Sequence, residues 1–418
     1  MTRLFLLPLV AIVGCSNTSV FFDAGLSGDT ALSADLTPIA DAYVNPCAPQ
    51  PGVTVSGRVF APNGSDPVAG ARIAVATEIK PLPQTVYCST CFSLGSYGAR
   101  TVSQADGTFT LTDAPPTPFR LAIVKGHFRR VIELKPSGCN TSLALDKAQT
   151  TLPGESKQYG PDDTAPNVAV VSGVWDRMER VLDKLGLKNK RVFNGRDPGT
   201  GPDSVQALLQ NGALLKSFHL LFINCGSKFE NLITSPGPAR NNLQSYVRQG
   251  GRLFVTDLSY DFVEQTFPAY IDFHGSDQTP QAAAEDHNAA EVGGKALSVS
   301  ADVVDEDLRK WLKLPEIDAL SPGDKIELLG FKTGWAVPLS IDSTLGGKTW
   351  LSGEVAFVGG RAVRPLALSF DFADTDGAGC GRVVFSAPHV DANTDVTLAQ
   401  ERVLEYLMLE IGACYLVK

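Results

Sequence analysis

Residues 243–261 read LQSYVRQGGRLFVTDLSYD, and this stretch decides the architecture. Leu243, Tyr246 and Val247 recur at helical spacing, which predicts one apolar helix face. Gly250 and Gly251 then close the helix, because glycine leaves it at least steric cost. Arg252 to Val255 is short and apolar, the pattern of a buried strand. Polar residues follow at once: Asp257, Ser259 and Asp261 stand just beyond the strand's carboxyl end. A helix leading into a buried strand is half of a strand–helix–strand unit.

Working outward, the same grammar recurs. Val168 to Val171 is a short apolar run. Met178, Val181, Leu182 and Leu185 form a helix face ended by Gly186. Arg191 to Phe193 predicts a strand, and Val205, Leu208 and Leu209 a weaker helix. Leu220 to Ile223 is a buried strand ending at Asn224, Cys225 and Gly226. Such alternation predicts an α/β domain with a largely parallel sheet over residues 167–418. Residues 269–330 interrupt it with a polar stretch and a short helix near Asp305–Leu312. Strands return at Ile326–Leu329, Trp335–Ile341, Thr349–Val358, Leu366–Phe372 and Arg382–Phe385. A helix from Thr397 to about Ala413 ends the pattern, with Thr397 and Gln400 able to form a capping box.

Upstream, residues 49–148 follow a different rule. Val53, Val55, Gly57 and Val59 alternate. Asn63-Gly64, Ala69-Gly70 and Asp106-Gly107 are turns, and closely spaced strands predict a β-sandwich. Residues 149–166, with Pro153, Gly154, Gly160, Pro161 and Pro166, are expected to link the two parts. Residues 15–48 carry Asp23, Asp29, Asp35 and Asp41 but no Lys or Arg. So few large apolar residues cannot offset the entropy of ordering, and a flexible acidic tether is expected. At the start, one Arg precedes an apolar run from Leu4 to Val13, the form of a secretory signal over residues 1–14.

The chain has 418 residues, is 44% hydrophobic and carries a formal charge of −9. That apolar fraction supplies packed cores, and no basic run offers a nucleic-acid face. No apolar stretch reaches the ~18–20 residues of a membrane span. The five His share no zinc-hydrolase spacing, and no cofactor is expected.

Three resemblances follow from particular residues. Ile12-Val13-Gly14-Cys15 resembles the lipobox of bacterial lipoproteins, which implies an acylated Cys15 and a membrane attachment through the N-terminal lipid. Ser16 in the next position implies the outer membrane by that family's sorting rule. VSGRVFAPNGSDPVAGARIAV with SQADGTFTLTDAP resembles the carboxypeptidase regulatory-like, transthyretin-like sandwich, which implies an accessory module. VAVVSG, LLFINCGS, LQSYVRQGGRLFVTD and CGRVVFSAPHVD resemble the class I glutamine amidotransferase-like fold. That family holds its Cys nucleophile in the turn after the strand following the two glycines. Here the turn is Thr256 to Asp261 and has no Cys, so the glutamyl thioester cannot form. The family's His falls on His389 and its acidic partner near Asp391.

Cys225, Asp257, Ser259, Asp261, His389 and Asp391 all stand beyond strand ends, where parallel sheets bind ligands. The leading expectation is a non-enzymatic binding or structural lipoprotein, with a protein or carbohydrate ligand in the envelope. The second is a hydrolase-like enzyme using Cys225 or the Asp257/His389 pair. The third is a divalent-metal adhesin, since Asp257-x-Ser259-x-Asp261 resembles the adhesion motif of von Willebrand A domains. Among the cysteines, Cys47, Cys88, Cys91 and Cys139 are expected to form disulfides rather than a zinc site, with the pairing open. The last helix should fold back along the preceding strand, which predicts a Cys380–Cys414 bond and leaves Cys225 free.

Overall fold

The computed structural model describes residues 44–88, 97–196, 201–226, 230–234, 236–275, 288–372, 379–388 and 398–412. Residues 43–418 form one compact unit. The protein is mixed α/β and rich in sheet. Its first part holds β1 (Val53–Arg58), β2 (Arg72–Ala76), β3 (Tyr97–Val102), β4 (Thr108–Ala114), β5 (Phe119–Lys125), β6 (Phe128–Leu134) and β7 (Ser142–Ala144). They make a three-stranded sheet ordered β4-β1-β7 and a four-stranded sheet ordered β3-β2-β5-β6. Alternation explains the inner faces: in β4, Phe109 and Leu111 are buried while Thr108 and Thr110 are exposed. A one-residue slip would exchange the two faces, so burial fixes the register. A short helix, α1 (Lys147–Thr150), follows, closed by a capping box between Asp146 and Gln149.

The second part is organised on a nine-stranded sheet. Its elements are β8 (Val168–Val171), α2 (Met178–Lys184), β9 (Lys190–Phe193), α3 (Val205–Gln210), α4 (Gly212–Lys216), β10 (Leu220–Ile223), α5 (Pro238–Arg248), β11 (Arg252–Thr256) and α6 (Asp261–Glu264). After these come β12 (Ile271–Phe273), β13 (Ala296–Val303), α7 (Glu306–Leu312), β14 (Lys325–Phe331), β15 (Pro338–Ile341), β16 (Lys348–Phe357), β17 (Gly360–Phe372), β18 (Gly381–Ser386) and α8 (Leu398–Ile411). The sheet order is β14-β13-β16-β17-β18-β11-β10-β8-β9. From β18 to β9 the neighbours are parallel, and from β14 to β18 they are antiparallel. The expected largely parallel sheet is thus corrected to one parallel over half its width. The antiparallel wing includes β13, which lies in the polar stretch 269–330, where no strand was expected before Ile326. Its Val299, Ala301 and Val303 are buried while Ser298, Ser300 and Asp302 are exposed. The strand expected at Trp335–Ile341 is only β15, paired with β12 in a separate ribbon.

The inner parallel strands β8 and β10 are apolar throughout because both faces are covered, whereas β9, at the sheet's edge, exposes Arg191 and Val192. All residues of β8, β10 and β11 are buried. Helix α5 buries Leu243, Tyr246 and Val247. Gly250 follows it with φ +101°, and the Tyr87 carbonyl lies where a Cβ would sit.

The two parts meet closely. Segment 149–166, expected as a linker, is fastened to the first part: Arg129 and Thr164 exchange backbone bonds of 2.9 Å, and Asp163 accepts from Arg130 Nη1 at 2.9 Å. Lys125 pairs with Glu410, Arg402 with Asp66, and Trp311 Nε1 donates to the Pro67 carbonyl at 2.8 Å. The disulfides are Cys47–Cys139 and Cys88–Cys380. The expected Cys380–Cys414 bond is therefore corrected. The reasoning about the last helix holds, since Arg382 at the start of β18 donates to the Glu410 carbonyl at 2.9 Å. But residues 81–88 of the first part reach the same edge and bring Cys88 to Cys380, with Cα atoms 5.4 Å apart. Cys15, Cys91 and Cys414 lie outside the described residues.

Candidate functional site

The carboxyl ends of β8, β10, β11 and β18 share one edge of the sheet, set by their parallel register. The chain beyond β11 makes a sharp turn. Thr256 is extended, Asp257 has φ +39°, and a single turn of tight helix from Asp257 to Ser259 leads into α6. Aspartate is among the few non-glycine residues that visit this region at modest cost. The turn aims Asp257 back across the strand ends. Its Oδ1 accepts from the Ala336 amide at 2.8 Å, and its Oδ2 accepts from the Cys225 thiol at 3.4 Å.

Cys225 and Asp257 are thus brought together. A second carboxylate, absent from the sequence reading, joins them. Asp176, in the loop after β8, is fully buried and accepts at Oδ2 from Thr256 Oγ1 at 2.6 Å. Thr256 Oγ1 in turn accepts from the Cys225 amide at 2.8 Å. The Arg177 amide donates to Asp176 Oδ1 at 2.8 Å. Asn224 Nδ2 donates to Glu179 Oε2 at 2.9 Å. Each link answers the same requirement: a carboxylate taken from water must receive donors in its place.

Ser259 and Asp261 serve other partners. Ser259 Oγ donates to the Asn224 carbonyl at 2.8 Å, which ties the turn to β10. Asp261 accepts from the Asn288 amide at 3.2 Å and from Gln265 Nε2 at 3.4 Å. The adhesion-type reading needs the oxygens of Asp257, Ser259 and Asp261 to face one ion. Instead these three side chains bond to different elements. Among the described residues, no group of three or more His, Cys, Asp or Glu has the spacing to hold a metal. His389 and Asp391 lie outside the described residues, as does Ser227.

The electrostatics fix the state of the thiol. Burial, then the nearby carboxylates of Asp257 and Asp176, push the Cys225 thiol well above its ordinary value. A thiol among carboxylates stays protonated, whereas a nucleophilic cysteine needs positive neighbours. Cys225 is therefore a buried donor here. Above Asp257 lies a narrow cleft lined by Leu329, Gly330, Phe331, Trp335, Ala387 and Pro388. At the same edge, Trp175 is 41% exposed, with the Lys332 ammonium 4.7 Å from its ring centre.

Sequence reasoning found Cys225, Asp257 and Ser259 because each sits within four residues of an apolar strand. It missed Asp176, Glu179 and Thr256. Asp176 stands five residues past β8, and only the crossing of two loops brings it to Thr256.

No family model matches the chain, and no curated protein matches it. Solved structures show slight likeness, among them the following two. The structure of PurLQS from Thermotoga maritima is 12% identical, covering 58% of this chain and 98% of its own, with a TM-score of 0.32. A type II cohesin–X-dockerin complex from Acetivibrio cellulolyticus is 14% identical, covering 32% of this chain and 71% of its own, with a TM-score of 0.18. At these TM-scores the likeness carries no inference about fold family or chemistry.

Proposed function

We propose that the protein is a lipid-anchored component of the cell envelope, held in the outer membrane through Cys15, that binds or scaffolds and does not catalyse. In this reading the first part is a transthyretin-like accessory module. The second is an amidotransferase-like domain whose nucleophile turn carries Asp257. One observation carries the non-catalytic reading: the single thiol at the strand ends, Cys225, is buried against Asp257 and held protonated. The disulfides Cys47–Cys139 and Cys88–Cys380 support export to an oxidising compartment. A protein or carbohydrate in the envelope is the expected ligand, and the acidic chain disfavours nucleic acid.

The test is chemical. The full-length native protein is treated at pH 7 with iodoacetamide for the thiol and, separately, with an alkyl epoxide for carboxylate nucleophiles. Peptide mass spectrometry should find Cys225 and Asp257 unmodified until the protein is unfolded. Rapid modification of either in the native state would overturn the reading in favour of the hydrolase-like alternative. The same spectra should show residues 1–14 removed and Cys15 acylated. An unacylated mature terminus would remove the anchor.

A further inference from the structure

Residues 81–88 leave the sandwich after β2 and cross the amino ends of the parallel strands. They are fastened there at several points. The Val86 amide donates to the Lys216 carbonyl at 2.8 Å. Asn167 Nδ2 donates to the Gln84 carbonyl at 3.3 Å. The Tyr87 carbonyl packs on Gly250, and Cys88 is bonded to Cys380.

Two buried histidines lie against this segment. His127, in the turn between β5 and β6, is 3% exposed, and neither ring nitrogen has a hydrogen-bond partner. Its ring centre is 4.6 Å from that of His219 and 5.0 Å from that of Tyr87. His219 precedes β10. Its Nδ1 faces the Asn167 amide at 2.9 Å, and an amide can only donate, so Nδ1 must lack a proton. The other nitrogen, Nε2, then carries the proton and donates to the Pro83 carbonyl at 3.2 Å. One ring is thus fixed as neutral by its bonds. The other is surrounded by rings that give a cation no acceptor.

We propose that residues 81–88 are an acid-released strap. Proton uptake by His127 and His219 lifts it from the amino ends of β10 and β11, and the Cys88–Cys380 bond holds it on a leash so that it closes again at neutral pH. The groups facing His127 are Tyr87 from the strap, His219 from the turn before β10 and Arg252 from β11. The standing charge acting on it, from Arg252, is positive, and protonation of His219 would add a second. Burial and those charges hold His127 well below its ordinary value, and burial lowers His219 as well. The closed form therefore excludes the proton, and the open form accepts it at about pH 6.5. Acid favours opening. For one histidine fully excluded from protonation, the open population at pH 5 rises about thirtyfold over that at pH 7.5. A charge gained by His219 would also set a new N–H against the amide of Asn167, the residue whose Nδ2 donates to the Gln84 carbonyl of the strap.

Hydrogen exchange of the full chain tests this, with amide protection read by mass spectrometry between pH 7.5 and pH 5.0 and corrected for intrinsic rates. The Val86 amide should lose at least tenfold of its protection in acid, while Phe222 in β10 keeps its own. His127→Phe should remove most of that loss. An unchanged Val86 protection in the native protein overturns the proposal, and so does an undiminished acid loss in the variant. If His127→Phe fails to fold, histidine NMR on the native protein decides. With Val86 protected, neither His127 nor His219 should titrate near 6.5. A normal titration of both with the strap closed overturns the proposal.

Discussion

At the amino edge of β10, β11 and β18 three glycines receive backbone carbonyls from distant parts of the chain, whereas at the carboxyl edge, beside one such approach of the Cys225 carbonyl to Gly173, the loops are joined by a chain of polar side chains. On the first side the Tyr87 carbonyl fills the place of a Cβ on Gly250, the Val247 carbonyl does so on Gly381, and the Gly412 carbonyl does so on Gly126. A disulfide completes the contact. On the second side, Asp176, Thr256, Cys225 and Asp257 form one chain of hydrogen bonds. The difference has consequences for change. A backbone contact is indifferent to the chemistry of side chains and intolerant of any added atom. A side-chain network accepts exchange where donors and acceptors are kept, so new chemistry can be introduced there without refolding the sheet. The contact edge joins the two parts of the molecule, and the network edge carries the narrow cleft over Asp257.

The most damaging way to break the comparison is at Gly126. Its φ is +56°, and the Gly412 carbonyl stands in the path of any side chain. Gly126→Val should cost about 4 kcal/mol or more, or prevent folding, because the backbone of α8 must move. Gly323 is the control: its φ is +83°, but nothing lies within 4 Å of its missing Cβ. Gly323→Val should cost only about 1–2 kcal/mol, the conformational penalty alone. Urea unfolding of both variants checks this, and equal losses would dissolve the claim that contact, not conformation, dominates.

Next in size is the covalent bond. The Cys88–Cys380 link closes a loop of 292 residues, and the paired variant Cys88→Ala with Cys380→Ala should lose about 3 kcal/mol. Exchange should rise at Val86 and stay unchanged in β10. A uniform rise across the sheet would mean that the bond supports the whole fold rather than this edge. At the opposite edge, Thr256→Val removes the hydroxyl that serves both Asp176 and the Cys225 amide. A buried carboxylate losing a donor should cost about 2–3 kcal/mol, and Thr256→Ser should restore most of it. Failure of serine to restore stability would show that packing, not hydrogen bonding, holds this edge.

The two edges were not equally legible in the sequence. The inner parallel strands are readable because Val168 to Val171, Leu220 to Ile223 and Leu253 to Val255 are continuous apolar runs, as burial on both faces requires. Their carboxyl ends expose Cys225, Asp257 and Ser259 by simple adjacency. Strand β13 is harder, since Ala296–Val303 alternates small residues with serines inside a polar stretch. Its partners, β14 and β16, stand well downstream. The amino edge was not legible at all. Nothing near Cys88 indicates that a sandwich loop crosses the distant sheet, and chain geometry alone allowed Cys414 as readily as Cys88. Glycines mark turns in a sequence, but which carbonyl presses on Gly126 or Gly250 depends on packing between parts hundreds of residues apart.

The smallest effect sharpens the comparison at a third contact between the parts, where α8 meets the sandwich. Arg402 Nη1 donates to Asp66 at 2.8 Å and to Glu405 at 2.7 Å, so one guanidinium serves two buried carboxylates. Burial first, and then Asp66, raise Glu405 to about 7, against the opposing pull of Arg402. An unfolded glutamate titrates near about 4.3, so the folded protein holds this proton more tightly. The stability it contributes is complete below about pH 4.3 and is lost as the pH rises through about 7. Glu405→Gln, neutral at every pH, should therefore gain on the native protein by about 1–2 kcal/mol between pH 5 and pH 7. Urea midpoints at each pH measure it, and a difference independent of pH would mean that Glu405 is ionised throughout. His127 acts with the opposite sign, since its depressed value removes stability as the pH falls below about 6.5. The two groups, at separate contacts, limit the joining of the two parts from either side of neutral pH. Removing Glu405 should extend its stability upward in pH, and His127→Phe should extend it downward.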